Sequence, residues 1–155
     1  MILRDEISNH TKSIAEYIIL VSDLLPALSV SLEPQMQSCG LIEHWVELCS
    51  READNDGKRT NEDRIAALSI LAEIWLTFTS FVDHHDEMSN TILFMLKRAV
   101  RERVKSIRLA ASAFMFRLLD SFGETKNKAA PVIYKTLIFA LVENPNDPTV
   151  RNFYL

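Results

Sequence analysis

A sequence period of about 42 residues constrains this chain more than any other feature. Three short segments align when Ile65, Ile107 and Val150 serve as anchors, and these anchors lie 42 and 43 residues apart. Ile92 and Ile133, which fall between the anchors, lie 41 residues apart. A period of this length is typical of one pair of helices. Because a single pair leaves an apolar face uncovered, successive pairs must stack to form a continuous core.

The composition also favours helices. Apolar residues make up 48% of the chain, which has only three glycines and five prolines in 155 residues. All-β folds need turn residues about every 8–12 positions, so the sequence predicts an all-α fold of antiparallel helix pairs in one domain. Steps of three and four between apolar residues place helices at about 7–31, 35–50, 61–82, 87–101, 104–122 and 125–143, with another starting at 148.

The repeats are predicted to start near residues 63, 105 and 148, after a polar loop at 51–61. Thr60 or Asn61 is expected to cap the third helix. Pro131 falls inside or early in the sixth helix, where it resembles a kinking residue. The helix that starts at 148 has room for only about two turns, so we expect the chain to be a fragment of a longer array.

Several of these segments resemble the HEAT family. Residues 146–151 (NDPTVR) are similar to that family's turn with Asp and Pro, followed by a Val-Arg helix start. Residues 107–111 (IRLAA) are similar, although Ala66 stands at the corresponding arginine position of the repeat near 63. The resemblance implies a HEAT/armadillo-like solenoid, a superhelix of helix pairs whose inner face binds a peptide, a helix or another folded protein.

Charge is distributed unevenly along the chain. Residues 1–95 hold 6 basic and 16 acidic side chains, whereas residues 96–155 hold 11 basic and 5 acidic ones. This asymmetry indicates internal pairing or separate binding faces. The candidate partner-binding residues form a basic set around one turn: Lys97, Arg98, Arg101, Arg103, Lys105 and Arg108.

Three interpretations of this basic set are open. It can bind an acidic protein surface, it can be a solvated turn whose arginines pair with adjacent repeats, or it can bind phosphate or nucleic acid. No aromatic residue lies between Lys97 and Arg108, so base stacking is not supported and nucleic acid is the least favoured partner.

The polar loop offers a second kind of site. Glu52, Asp54, Asp56 and Asp63 have the spacing of a calcium-binding loop, with Gly57 at its sixth position. The pattern departs from that motif, because its first ligand is glutamate, Arg59 stands at an apolar position, and Asp63 is short for bidentate binding. The alternative is a solvated linker between repeats.

Two further groups have structural interpretations. His84 and His85 are expected to lie in a capping turn and not at a metal. Cys39 and Cys49 are expected to be buried apolar groups, and two cysteines fit a reducing compartment, the cytoplasm or the nucleus. No segment has the length of a membrane span, and the longest apolar run is 137–142.

No catalytic motif is present, so the sequence predicts a protein that is not an enzyme and needs no cofactor. The expected function is a scaffold for protein–protein interaction within a larger assembly. Aromatic residues in apolar runs, including Phe94 and Phe139, are predicted to pack in the core. Phe153 and Tyr154 are expected to be exposed on the last helix and to allow self-association.

Overall fold

The computed structural model describes residues 40–123 and 127–147, which form six α-helices with no strand among them. The helices are α1 Leu41–Ala53, α2 Asn61–Thr77, α3 Thr79–Asp83, α4 Asp86–Val100, α5 Lys105–Phe122 and α6 Ala130–Glu143. The predicted all-α class is confirmed. The helices predicted at 7–31 and from 148 onward, together with Cys39, Phe153 and Tyr154, lie outside the described residues.

The helices contact one another in two rows. Helix α1 packs against α2, and α4 packs against α5. In one row α1 contacts α4 and α4 contacts α6, and in the other α2 contacts α5. Helix α5 also contacts α6. Helices α1, α2, α4 and α5 therefore each touch their partner in sequence and the corresponding helix of the neighbouring pair.

A continuous apolar core fills the space between these rows. The largest fully buried side chains include Trp45, Trp75 and Phe78. Ile92, Ile107 and Ile133, at repeat positions, are completely buried. Helix α2 is buried at eight positions, because α1, α4 and α5 all pack against it.

Local sequence sets two of the helix starts. The hydroxyl oxygen of Thr60 accepts a hydrogen bond of 3.1 Å from the backbone N–H of Asp63, which confirms the predicted cap of α2. Pro131 lies in the first turn of α6. A proline is tolerated there, because the first backbone N–H groups of a helix have no intrahelical acceptor. Pro131 therefore belongs to the start of the helix and is not a kink within it.

The predicted single helix over 61–82 is wrong, because a break at Phe78 separates α2 from α3. Phe78 has φ −112° and ψ 46°, outside the helical region. The hydroxyl of Thr79 lies 3.1 Å from the carbonyl oxygen of Trp75 and 3.0 Å from that of Leu76. Such side-chain bonds to the last turn compete with continued helix, and the Phe78 ring turns into the core.

Candidate functional site

Three of the four candidate calcium ligands, Glu52, Asp54 and Asp56, are paired with arginines. Both carboxylate oxygens of Glu52 accept hydrogen bonds of 3.1 Å from Arg59. Asp56 also binds Arg59. The hydrogen bond from the backbone N–H of Lys58, and to a smaller extent the contact with Arg59, lower the pKa of Asp56 below its ordinary value.

Of the other two candidate ligands, one is paired with a second arginine and the other lies on α2. Asp54 binds Arg98 at 3.1 Å, and Asp63 lies in the first turn of α2. Calcium binding at these positions would require the displacement of Arg59 and Arg98. Across residues 40–123 and 127–147, no three His, Cys, Asp or Glu side chains form a group that could hold a metal ion.

Half of the predicted basic set is used within the chain. Arg98 pairs with Asp54, and Arg101 pairs with Glu143 at 2.7 Å. Arg108 is mostly buried and pairs with both carboxylate oxygens of Asp147 at 2.9 and 3.2 Å. Its hydrogen bond to Asp147 raises the pKa of Arg108.

The predicted contact surface is therefore smaller than the sequence suggests. Lys97, Arg103 and Lys105 are exposed and have no ion pair with another described residue. Arg108 does not belong to an exposed surface, because its guanidinium also donates hydrogen bonds to the carbonyl oxygens of Glu102 and Arg103 at 3.1 and 2.8 Å. Of the six predicted residues, only Lys97, Arg103 and Lys105 remain available for an external partner.

Arg64, Glu102, Arg108 and Asp147 form a line of polar contacts, here called the turn ladder. Arg64 donates to the carbonyl oxygen of Ala53 at 3.1 Å and pairs with the Glu102 carboxylate. Arg108 binds the backbone of Glu102 and pairs with Asp147. Each arginine thus connects one inter-helix turn to the next.

Sequence reasoning missed Arg64 because the repeat alignment placed Ala66 at the arginine position. Arg64 takes the role that Arg108 has in the following pair. The available signal was the spacing to an acidic residue, which is 38 residues from Arg64 to Glu102 and 39 from Arg108 to Asp147.

Further polar contacts connect neighbouring helix pairs at the repeat distance. Arg117 pairs with Glu73, 44 residues away, and Lys128 pairs with Asp86, 42 residues away. The side-chain amide of Asn127 donates to Asp83 at 3.1 Å across 44 residues. Each of these contacts joins two neighbouring helix pairs.

The histidine turn is a helix cap, as predicted. Nδ1 of His85 accepts a hydrogen bond of 3.2 Å from the backbone N–H of Met88 at the start of α4. Nδ1 of His84 lies 2.7 Å from the carbonyl oxygen of Ser80. Cys49 is buried as predicted, and burial, with a smaller effect from Glu52, raises its pKa to about 12.

An open groove of about 580 Å³ runs between α1 and α4 and is here called the α1–α4 groove. Phe94 lies on it and is 56% exposed, so its predicted place in the core is wrong. Phe139 on α6 is also exposed, against the prediction. Main lining residues are Glu43, Val46, Glu47, Ser50, Arg51, Asp54, Glu87, Met88, Thr91, Phe94, Met95 and Arg98.

Helix α6 carries a second apolar surface, the α6 face. Its five large apolar side chains are between 36% and 72% exposed. These are Val132, Tyr134, Ile138, Phe139 and Val142. None of the helices in the described ranges is long and apolar enough to cross a membrane.

Comparisons with protein-family models, with curated proteins and with solved structures give no match to this chain.

Proposed function

We propose that this chain is a HEAT/armadillo-like helical-repeat module that binds another protein within a larger cytoplasmic or nuclear assembly and catalyses no reaction. Two observations support a superhelix of helix pairs. The helices contact each other in two rows, and polar side chains 38 to 44 residues apart connect neighbouring pairs. A stack of this kind offers an extended surface to a partner.

The main support for a binding function is the exposed apolar surface of the α6 face. Five large apolar side chains are exposed on one helix of 14 residues. Monomeric soluble proteins rarely expose contiguous apolar patches of this kind unless the patch binds something. Because α4 and α5 already pack against the opposite side of α6, the exposed side chains are not needed for the core of the described residues.

The exposed basic residues Lys97, Arg103 and Lys105 add charge near the turn between α4 and α5. Charged groups at the rim of an apolar contact accelerate association and select against partners of like charge. The predicted acidic partner surface therefore remains part of the proposal, now with three side chains instead of six.

The test is direct binding by the complete chain. The immobilised chain is incubated with cell extract, and the captured proteins are quantified by mass spectrometry. Each candidate is then purified and titrated against the chain by calorimetry. Ile138→Ser/Val142→Ser removes apolar surface from α6, and Lys97→Glu/Arg103→Glu/Lys105→Glu reverses the exposed charge. Lys58→Glu, in an exposed loop position, is the control.

We expect at least one purified candidate to bind the wild-type chain and the Lys58→Glu control equally. The α6 variant should weaken this binding about tenfold or more, since large apolar anchors dominate interface energies. Equal helical circular dichroism of all variants excludes unfolding as the cause. If no purified candidate binds, or if both surface variants bind as well as the wild type, the proposal is wrong.

A further inference from the structure

The α1–α4 groove has the length of a short peptide helix. Arg98 on α4 contacts Asp54, the residue that follows α1, near one end, and Glu43 and Glu87 in the first turns of the two helices line the other end. Glu43 and Asp54 are eleven positions apart, which corresponds to about 16 Å at 1.5 Å per residue. A partner helix of about three turns would fit along this length.

The floor of the groove is apolar and adaptable. Val46, Met88 and Met95 are largely buried there, and the ring of Phe94 rises from it into solvent. The guanidinium of Arg98 lies over this ring at 5.4 Å from its centroid, within the range of a cation–π contact. Methionine side chains repack easily around different ligands. Phe94 is thus a positioned anchor beside a floor that can adjust.

The charges that line the groove do not cancel. Arg98 is paired with Asp54, and Arg51 with Glu47 at 3.7 Å. Glu87 has no ion pair among the described residues, and it is exposed. The carboxylates of Glu43 and Glu87 therefore leave one end of the groove negative.

Glu43, at the negative end of the groove, also lacks a hydrogen-bond donor for one of its oxygens. Oε2 of Glu43 is buried and has no hydrogen-bond partner in the described part of the chain. The buried hydroxyl oxygen of Ser50, which also lines the groove, has none either. Buried polar atoms without a partner are rare in folded proteins, and each calls for an explanation. A lysine or arginine of a bound segment would supply the donor that Glu43 lacks.

We propose that the α1–α4 groove binds an amphipathic helical segment of a partner protein whose apolar face is flanked by basic residues. Apolar side chains one helical turn apart would pack beside Phe94 and the methionines. A basic residue near one end of the segment would pair with Glu43 and Glu87. This inference rests on the proposed protein-binding function and names a second surface for it, separate from the α6 face.

The test selects ligands without assuming their sequence. A phage-displayed library of random 16-residue peptides is selected on the complete chain, and enriched peptides are synthesised and titrated by fluorescence anisotropy. Phe94→Ser removes the aromatic anchor, and Glu43→Gln/Glu87→Gln removes the unpaired charge. Matched controls are Val104→Ser, an exposed apolar side chain that does not line the groove, and Glu62→Gln, another exposed carboxylate in a first turn.

We expect enriched peptides with net positive charge and apolar residues spaced three and four apart. Phe94→Ser should weaken their binding about tenfold or more. Glu43→Gln/Glu87→Gln should weaken it and reduce its dependence on salt, because the amides no longer attract the basic residue of the peptide. Val104→Ser and Glu62→Gln should bind like the wild type.

Two results would overturn the proposal: selection that enriches no peptide or only neutral and acidic peptides, or enriched peptides whose affinity is unchanged by Phe94→Ser. Either result would leave the protein-binding function intact if a purified partner still binds through the α6 face. If neither the selected peptides nor a purified partner protein binds the chain, both proposals are refuted.

Discussion

Replacement of Arg64 by methionine tests the turn ladder most directly. Arg64 is 5% exposed, and the side chain of its partner Glu102 is 12% exposed. The guanidinium connects the carbonyl oxygen of Ala53 to the Glu102 carboxylate across 38 residues of sequence. Methionine fills a similar volume but leaves both acceptors without this donor. The other carboxylate oxygen of Glu102 already lacks a partner in the described residues.

The magnitude follows from the burial of the pair. Removal of one partner from a buried ion pair typically costs about 3–5 kcal/mol, because the remaining charge stays in a poorly solvated site. We expect about 3 kcal/mol for Arg64→Met, at the low end, since Glu102 keeps some contact with water. Replacement of both partners, as in Arg64→Met/Glu102→Leu, should cost much less, and the residual loss of about 1 kcal/mol reflects the unpaired carbonyl of Ala53.

The assay is urea unfolding followed by circular dichroism at 222 nm. Arg51→Met is the control, because the Arg51–Glu47 pair has 3.7 Å between its charged atoms and both side chains are more than 60% exposed. This control should change the free energy of unfolding by less than about 0.5 kcal/mol. If Arg64→Met behaves like the control, or if the double variant is less stable than the single one, the reasoning about the turn ladder is refuted.

Three further predictions concern single sites. Thr60→Ala should lower the free energy of unfolding by about 1 kcal/mol through loss of the cap of α2; Thr60→Ser should keep most of it, and equal stability of all three proteins would contradict the cap. In a Cys39→Ser background, Cys49 should resist maleimide at pH 8 and react only in urea, because burial raises its pKa to about 12 and keeps the thiol protonated; fast modification of the folded protein would show the thiol to be accessible. Millimolar calcium should leave the thermal midpoint unchanged, because Glu52 is held by Arg59; a saturable rise in the midpoint would instead favour the calcium interpretation of the loop.

The features that the sequence alone predicted are local or periodic. Few helix breakers and apolar residues at steps of three and four were enough to predict an all-α chain, because helix formation depends on neighbouring residues. The period also marked Ile92, Ile107 and Ile133, and all three are completely buried. Thr60 could be predicted as a cap because its bond reaches only three residues along the chain.

Tertiary structure decided which charges are used inside the molecule and which are free for a partner. Arg108 and Arg64 find their acidic partners 39 and 38 residues away, and several carboxylates at similar distances were equally possible from the sequence. Only the packing of neighbouring helix pairs selects among them. The same holds for Phe94, since an apolar run shows that a side chain lies on a helix but not whether another helix covers it. Burial depends on that neighbour, and the α1–α4 groove leaves the ring of Phe94 uncovered.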